Sequence, residues 1–204
     1  MSRIKAVIFD CDGVMFESRQ ANLSYYNRIL EEFSYSPVSA EQKELAQMCH
    51  TASSPVVLAT LLREVDLASA LDFAATLDYR EFIPHMEPEL NLYDLLESLS
   101  GKYPLAIATN RGKSILSILD HFDLQGFFSV VVTSHDVERP KPAPDMLLLA
   151  TEKLNRKAED CLFIGDSELD KLAAAEANMQ FAGYGGGVSG IISLSNHLEL
   201  LDYL

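Results

Sequence analysis

The sequence is poor in cysteine, in basic side chains and in long apolar runs. Its three cysteines, Cys11, Cys49 and Cys161, are an odd number at wide spacing. No CxxC pair occurs, which removes the usual ligand spacing of structural zinc and of redox dithiols. Free thiols in a reducing, cytoplasmic setting are expected instead. Lysine and arginine number 16 against 30 aspartates and glutamates, for a formal net charge of −14. Such a surface repels nucleic acid and anionic lipid, so neither is an expected partner, while a local cationic pocket for a small substrate stays open. No run approaches the roughly 18 apolar residues of a membrane-spanning helix. The opening MSRIKAVIFD carries only a short apolar run and no cleavage-site pattern, so neither a signal peptide nor an anchor is expected. Repeats and low-complexity tracts are missing too. What remains is a chain of 204 residues, 48% apolar, suited to one packed core with a smaller appendage, as a monomer or small homo-oligomer.

Short apolar runs read as strands buried on both faces: Ala6 to Phe9, Leu105 to Thr109, Ser129 to Thr133, Cys161 to Gly165 and, more weakly, Met179 to Ala182. Helical patterns lie between them. Leu92, Leu95, Leu96 and Leu99 share one face, as do Ile115, Ile118, Leu119 and Phe122; Pro144 opens a third helix, and Asp170 to Ala177 form a fourth. This alternation predicts an α/β fold with a parallel sheet covered on both sides. One stretch departs from it. After the first strand come only helical patterns: a stripe of Leu23, Tyr26, Leu30 and Phe33, a capping box of Ser39 with Gln42, then Val56 to Arg63 and Leu67 to Phe82. Residues 84–88 read as a linker. The expected division is a core of residues 1–15 and 89–204 with a helical insert at 16–88.

Functional groups of parallel sheets gather beyond the carboxyl ends of the strands, and four such ends carry suitable residues. Asp10 and Asp12 stand two apart where the first strand ends, with Gly13 permitting a sharp turn. One carboxylate can attack phosphorus and the other can protonate the leaving oxygen and later activate water. A calcium loop starting at Asp10 would need Glu at its twelfth position, where Ala21 stands. Thr109 and Asn110 end the second strand, either as donors to phosphate oxygens or as helix caps. Lys141 lies in Arg139-Pro-Lys-Pro-Ala-Pro-Asp145, held by prolines against a phosphate or the nucleophile, or else solvated in a turn. Asp166 follows the Cys161 strand and is placed to ligate Mg²⁺, with Asp170 one turn later serving a metal water, Lys141 or the helix dipole.

DxDGV, TN, KPxPD and GDSxxD, in this order and each at a strand end, resemble the haloacid dehalogenase-like superfamily, its phosphoglycolate-phosphatase-like branch most closely. The resemblance spans essentially the whole chain. It implies a Rossmann-like core with an inserted helical cap, and Mg²⁺-dependent hydrolysis of a small phosphorylated metabolite through an aspartyl-phosphate. By motif, Asp10 is the nucleophile and Asp12 the acid/base. Thr109 binds the phosphoryl group and Lys141 steadies its charge. Asp10, Asp166 and the Asp12 backbone carbonyl bind Mg²⁺, and Asp170 supports the metal site. Val14 departs from the threonine of many relatives and is shared with some phosphomutase-like ones. A sugar phosphomutase is therefore the alternative within the superfamily, and a non-catalytic phosphate sensor the alternative outside catalysis.

Three features stay open, and two others are set aside. Arg111 either binds an acidic substrate or lies in solvent. His50 and Ser53, in a polar break between cap helices, either touch substrate or form an ordinary turn, and Glu17 and Ser18 mark either a cap hinge or a helix start. Gly185, Gly187 and Gly190 spell GxGxxG, but no βαβ unit follows, so a flexible loop is expected rather than a dinucleotide site. Cys11, with no evident histidine base, is read as a spacer.

Overall fold

A computed structural model describes residues 4–204 and divides into two compact units: one runs up to Glu17 and resumes at Pro88–Leu204, the other is Ser18–Glu87. The first unit is built on a six-stranded sheet in which every pairing is parallel. Its strands are β1 (Ala6–Phe9), β4 (Leu105–Thr109), β5 (Val130–Thr133), β6 (Cys161–Gly165), β7 (Gln180–Tyr184) and β8 (Ile192–Leu194). Two-residue strands, β2 (Phe16–Glu17) and β3 (Glu87–Pro88), mark where the chain passes to and from the second unit. In space the order is β5-β4-β1-β6-β7-β8. Every residue of β1, β4 and β6 is buried, as a strand covered on both faces requires.

Helices α5 (Leu92–Leu99), α6 (Ser114–His121), α7 (Asp145–Lys153) and α8 (Glu168–Glu176) complete this unit. The expected leucines of α5 and isoleucines of α6 are its buried faces. Because β1 lies between β4 and β6, the sheet order reverses beside it, the place where parallel sheets bind ligands past the carboxyl ends of their strands.

β8 was not anticipated. Its three residues alternate in burial, and only a glycine-rich connection separates it from β7. A parallel crossover usually takes a dozen residues or more; here residues 185–191 suffice. They do so because Gly183 and Gly190 let backbones meet: a Cβ on Gly183 would collide with the Val188 carbonyl, and one on Gly190 with that of Phe181. The GxGxxG segment is thus the connection between β7 and β8, with open space at Gly185 and close packing at Gly190.

The second unit carries α1 (Arg19–Glu32), α2 (Lys43–Thr51), α3 (Ser54–Leu61) and α4 (Glu64–Thr76). Its core gathers Leu23, Tyr26, Ile29, Leu30, Val57 and Leu58. The helix expected to run from Leu67 to Phe82 instead starts at Glu64 and stops at Thr76, and 3₁₀ turns at Tyr79–Glu81 and Ile83–His85 replace its last turn and the expected linker. Half of the Ser39 capping box forms, the Ser39 amide donating to Gln42 Oε1 at 2.9 Å, but the helix begins only at Lys43.

Candidate active site

The register of the sheet brings the candidate residues together. Phe9 pairs with Ile164, and the Asp10 amide extends that ladder by donating to the Ile164 carbonyl at 2.9 Å. Asp10 therefore emerges level with Gly165, one residue before Asp166. A side chain at Gly165 would strike the Asp170 carboxylate, its Cβ falling 2.7 Å from Asp170 Cγ, so glycine here is what lets Asp170 reach into the crevice.

Lys141 is the centre of the arrangement. Its ammonium lies 2.9 Å from Asp10 Oδ1 as an ion pair and donates to Asp170 Oδ1 at 2.6 Å, with the Phe163 ring centroid 5.2 Å away. The alternative of a solvated turn lysine fails, since its side chain is only 2% exposed. Burial works against its charge, but Asp10 and Asp170 outweigh burial and hold its pKa above the ordinary lysine value. Asn110 fixes the backbone beneath it: its side chain accepts from the Lys141 amide at 3.0 Å and donates to the Lys141 carbonyl at 3.1 Å. Asn110 thus serves as a bracket for Lys141. The Thr109 hydroxyl, almost wholly buried at the end of β4, accepts from the Arg111 amide at 3.2 Å.

Asp12 and Arg111 form a second buried pair, with Arg111 Nη2 donating to Asp12 Oδ1 at 2.6 Å. Arg111 is 8% exposed, which settles against the solvated alternative. Ser134 donates to the Arg111 carbonyl through both its amide, at 3.2 Å, and its hydroxyl, at 3.3 Å. Nothing in the local sequence foretold this contact, which spans 99 positions.

Asp170 uses both oxygens. Oδ1 accepts from Lys141, while Oδ2 accepts from the Ser167 hydroxyl at 2.5 Å and the Ser167 amide at 3.1 Å. The Asp170 amide donates back to the Ser167 hydroxyl, closing a full capping box at the start of α8. Sequence reasoning passed over Ser167, although S-x-x-D ahead of a helix is a known cap signal. Asp166 completes the set: one carboxylate oxygen each from Asp10, Asp166 and Asp170 lies within 4.8 Å of the others.

Crowding shows in the acidities. Burial, aided by Asp170 and Asp12 and opposed by Lys141, raises Asp10 to about 7. Burial, with Asp10 and Asp170 adding to it, raises Asp166 to about 8. Four carboxyl groups face two cations here, and a divalent cation beside Asp10 and Asp166 would balance that excess. The donor set, all oxygen, suits a hard cation such as Mg²⁺. Burial and the Asp12 charge push the Cys11 thiol well above its usual pKa, so it is no nucleophile.

His50 belongs to the second unit, buried on α2 with its Nδ1 3.4 Å from Asn22 Nδ2. Ser53 is likewise buried, at the start of α3. Among the described residues no helix is long and apolar enough to cross a membrane.

Comparison with known proteins fits this geometry. The model of haloacid dehalogenase-like hydrolases matches residues 7–184. Fructose-1-phosphate phosphatase YqaB of Escherichia coli is 26% identical over 184 residues, covering 87% of this chain and 94% of that protein. Phosphoglycolate phosphatase of the same organism is 37% identical over 106 residues, 50% of this chain and 42% of that one. The crystal structure of a HAD-superfamily hydrolase, subfamily IA, variant 1, from Geobacter sulfurreducens is similar with a TM-score of 0.86 at 36% identity, covering 98% of this chain and 100% of that chain. The chain belongs to the haloacid dehalogenase-like hydrolase family.

Proposed function

We propose that this protein is a Mg²⁺-dependent phosphatase that hydrolyses a small-molecule phosphate monoester through an aspartyl-phosphate on Asp10, in the manner of the phosphoglycolate-phosphatase-like branch. The observation that carries the reading is the Lys141 ammonium bridging Asp10 and Asp170 with Asp166 beside them. Asp10 and Asp166, with the Asp12 backbone carbonyl, would hold Mg²⁺, and Asp170 supports that set through Lys141 and Ser167. When bound, the ion neutralises phosphoryl oxygens and the acidic cluster.

The remaining work falls to side chains of the chain itself. An Asp10 carboxylate oxygen bonds to phosphorus as the bond to the leaving oxygen breaks, and Asp12 delivers a proton to that oxygen. Water then attacks phosphorus, Asp12 takes its proton, and the Asp10–phosphorus bond breaks to release phosphate. Lys141 and the Thr109 hydroxyl hold the transferring oxygens, so catalysis is chiefly positioning and charge neutralisation. Arg111 orients Asp12 and stands ready for an anionic substrate group. The helical unit is assigned the part of a cap, with His50 as its candidate substrate contact. Three buried free cysteines fit a reducing cytoplasm.

The test is phosphate release from a panel of phosphorylated metabolites, with Mg²⁺ and with EDTA, by the wild type and Asp10→Asn. Mg²⁺-dependent release abolished by the substitution supports the phosphatase. No release by folded protein overturns it; isomerisation of a sugar phosphate would then identify a mutase, and phosphate binding without turnover a sensor.

A further inference from the structure

One buried imidazole, far from the motifs in sequence, bonds to the last residue of the first of them and lies near the ring of the residue before it. His197 lies in the 3₁₀ segment His197–Asp202 after β8 and has no exposed surface. Its Nε2 lies 2.8 Å from the Val14 carbonyl, across 183 positions of sequence. Only a protonated Nε2 can donate to a carbonyl, so the tautomer is fixed. Its Nδ1 has no hydrogen-bond partner among the described residues. Burial lowers its pKa to about 4, so the imidazole is neutral and this contact persists across the physiological range. The ring stacks on Tyr184, with centroids 4.6 Å apart and planes at 26°, and its centroid is 6.5 Å from that of Phe9.

The placement matters because of what it joins. Phe9 is the residue before Asp10. Val14 follows Asp12 by two, across Gly13 at φ 72, a left-handed position that pivots easily. The rest of the turn closes on itself: Met15 and Phe16 amides donate to the Cys11 carbonyl, the Gly13 amide donates to the Phe16 carbonyl, and Glu89 donates to the Met15 carbonyl. The Val14 carbonyl takes its bond from His197. An unpartnered buried carbonyl is costly, so without that donor the turn would shift to find another. We infer that His197 is a positioning residue of the active site, holding the Gly13–Met15 turn so that Asp12 keeps its place relative to Asp10. The inference rests on the roles proposed above for those two aspartates.

A merely structural histidine would lower stability and leave the chemistry unchanged. A positioning one would matter most where the proton from Asp12 matters most, at poor leaving groups. The experiment compares wild type, His197→Phe and His197→Gln in full-length protein with excess Mg²⁺. Two readouts are taken well below the melting temperature. The first is kcat on glycerol 2-phosphate, an alkyl ester, and on p-nitrophenyl phosphate, whose leaving group needs little protonation. The second is hydrogen exchange at the Met15 and Phe16 amides, relative to β6. His197→Phe should lose about 10-fold or more on the alkyl ester, since small misplacements carry costs of that order, and much less on the aryl ester. It should also speed exchange at Met15 and Phe16, and His197→Gln, which keeps an amide donor, should recover both. Equal losses on the two esters, or none, with exchange unchanged would overturn the inference. If His197→Phe does not fold, Tyr184→Leu removes the stacking partner and should give the same pattern more weakly; wild-type values in that variant would overturn it instead. If the wild type hydrolyses neither ester, that counts against the phosphatase reading, and the exchange result alone decides whether His197 holds the turn.

Discussion

Among the described residues of the helical unit, the buried polar side chains are Ser18, Asn22, His50 and Ser53, none of them a carboxylate, lysine or arginine. The core unit buries Asp10, Asp12, Arg111, Lys141 and Asp170. In the helical unit Asn22 joins its neighbours, accepting from the Tyr79 hydroxyl at 3.0 Å with its amide nitrogen 3.4 Å from His50 Nδ1. Such a network satisfies polar groups at little electrostatic cost. Buried charges differ: desolvation takes several kcal/mol per ion, of the order of what pairing returns. A fold that concentrates them at the ends of β1, β4 and β6 is maintaining a costly arrangement for chemistry rather than for stability.

The comparison can be broken most sharply at Asp10. Asp10→Asn should lower phosphate release at least about 1,000-fold, the scale of losing a nucleophile, while the metal-free melting temperature holds or rises. A large loss of stability would mean the acidic cluster holds the fold after all. Lys141→Met removes the partner of two buried carboxylates, and breaking a buried pair costs about 3–5 kcal/mol, readable by urea denaturation of the metal-free protein. Unchanged stability would show that the fold does not need this lysine between Asp10 and Asp170. In the helical unit, Asn22→Ala should cost about 1–3 kcal/mol by leaving the Tyr79 hydroxyl and His50 without this partner, with kcat unchanged. A raised KM at unchanged stability would instead make His50 a substrate contact.

The smallest effect is one of pH. Asp10 and Asp166 keep protons in the folded state up to about 7 and 8, against ordinary values of 3.8. Between these limits the folded chain binds more protons than the unfolded one. The metal-free protein therefore loses stability as pH rises from about 4 to about 8. Mg²⁺ should raise the melting temperature by a few degrees more at about pH 8 than at about pH 5.5, and the opposite order would contradict the raised acidities.

Much of the core was legible because its fully buried strands announce themselves locally. Ala6 to Phe9 and Cys161 to Gly165 are apolar throughout, and an acidic residue follows each at the functional end. What escaped was either short or distant. β8 has three residues and only one fully buried side chain to mark it. The helical unit has weak periodicity in α4, whose apolar pattern points to Leu67 although the helix starts at Glu64. The Arg111–Asp12 and His197–Val14 contacts join segments 99 and 183 positions apart, and no local pattern encodes such a meeting. Asn110 shows a subtler limit. Its type suited phosphate binding, and only the fold shows that both ends of its amide are engaged by Lys141.

Asp170 has a consequence for anyone who would redesign this protein. The same carboxylate starts helix α8 and holds the lysine, so folding and reactivity share one part. Directed evolution cannot adjust the charge around Lys141 at this position without also loosening the helix. Asparagine there has one oxygen for two partners and keeps the cap only by turning its amide nitrogen on the Lys141 ammonium, and glutamate keeps the charge but lengthens the reach. Variation will therefore be tolerated more readily in the helical unit, whose buried polar side chains include no carboxylate, lysine or arginine.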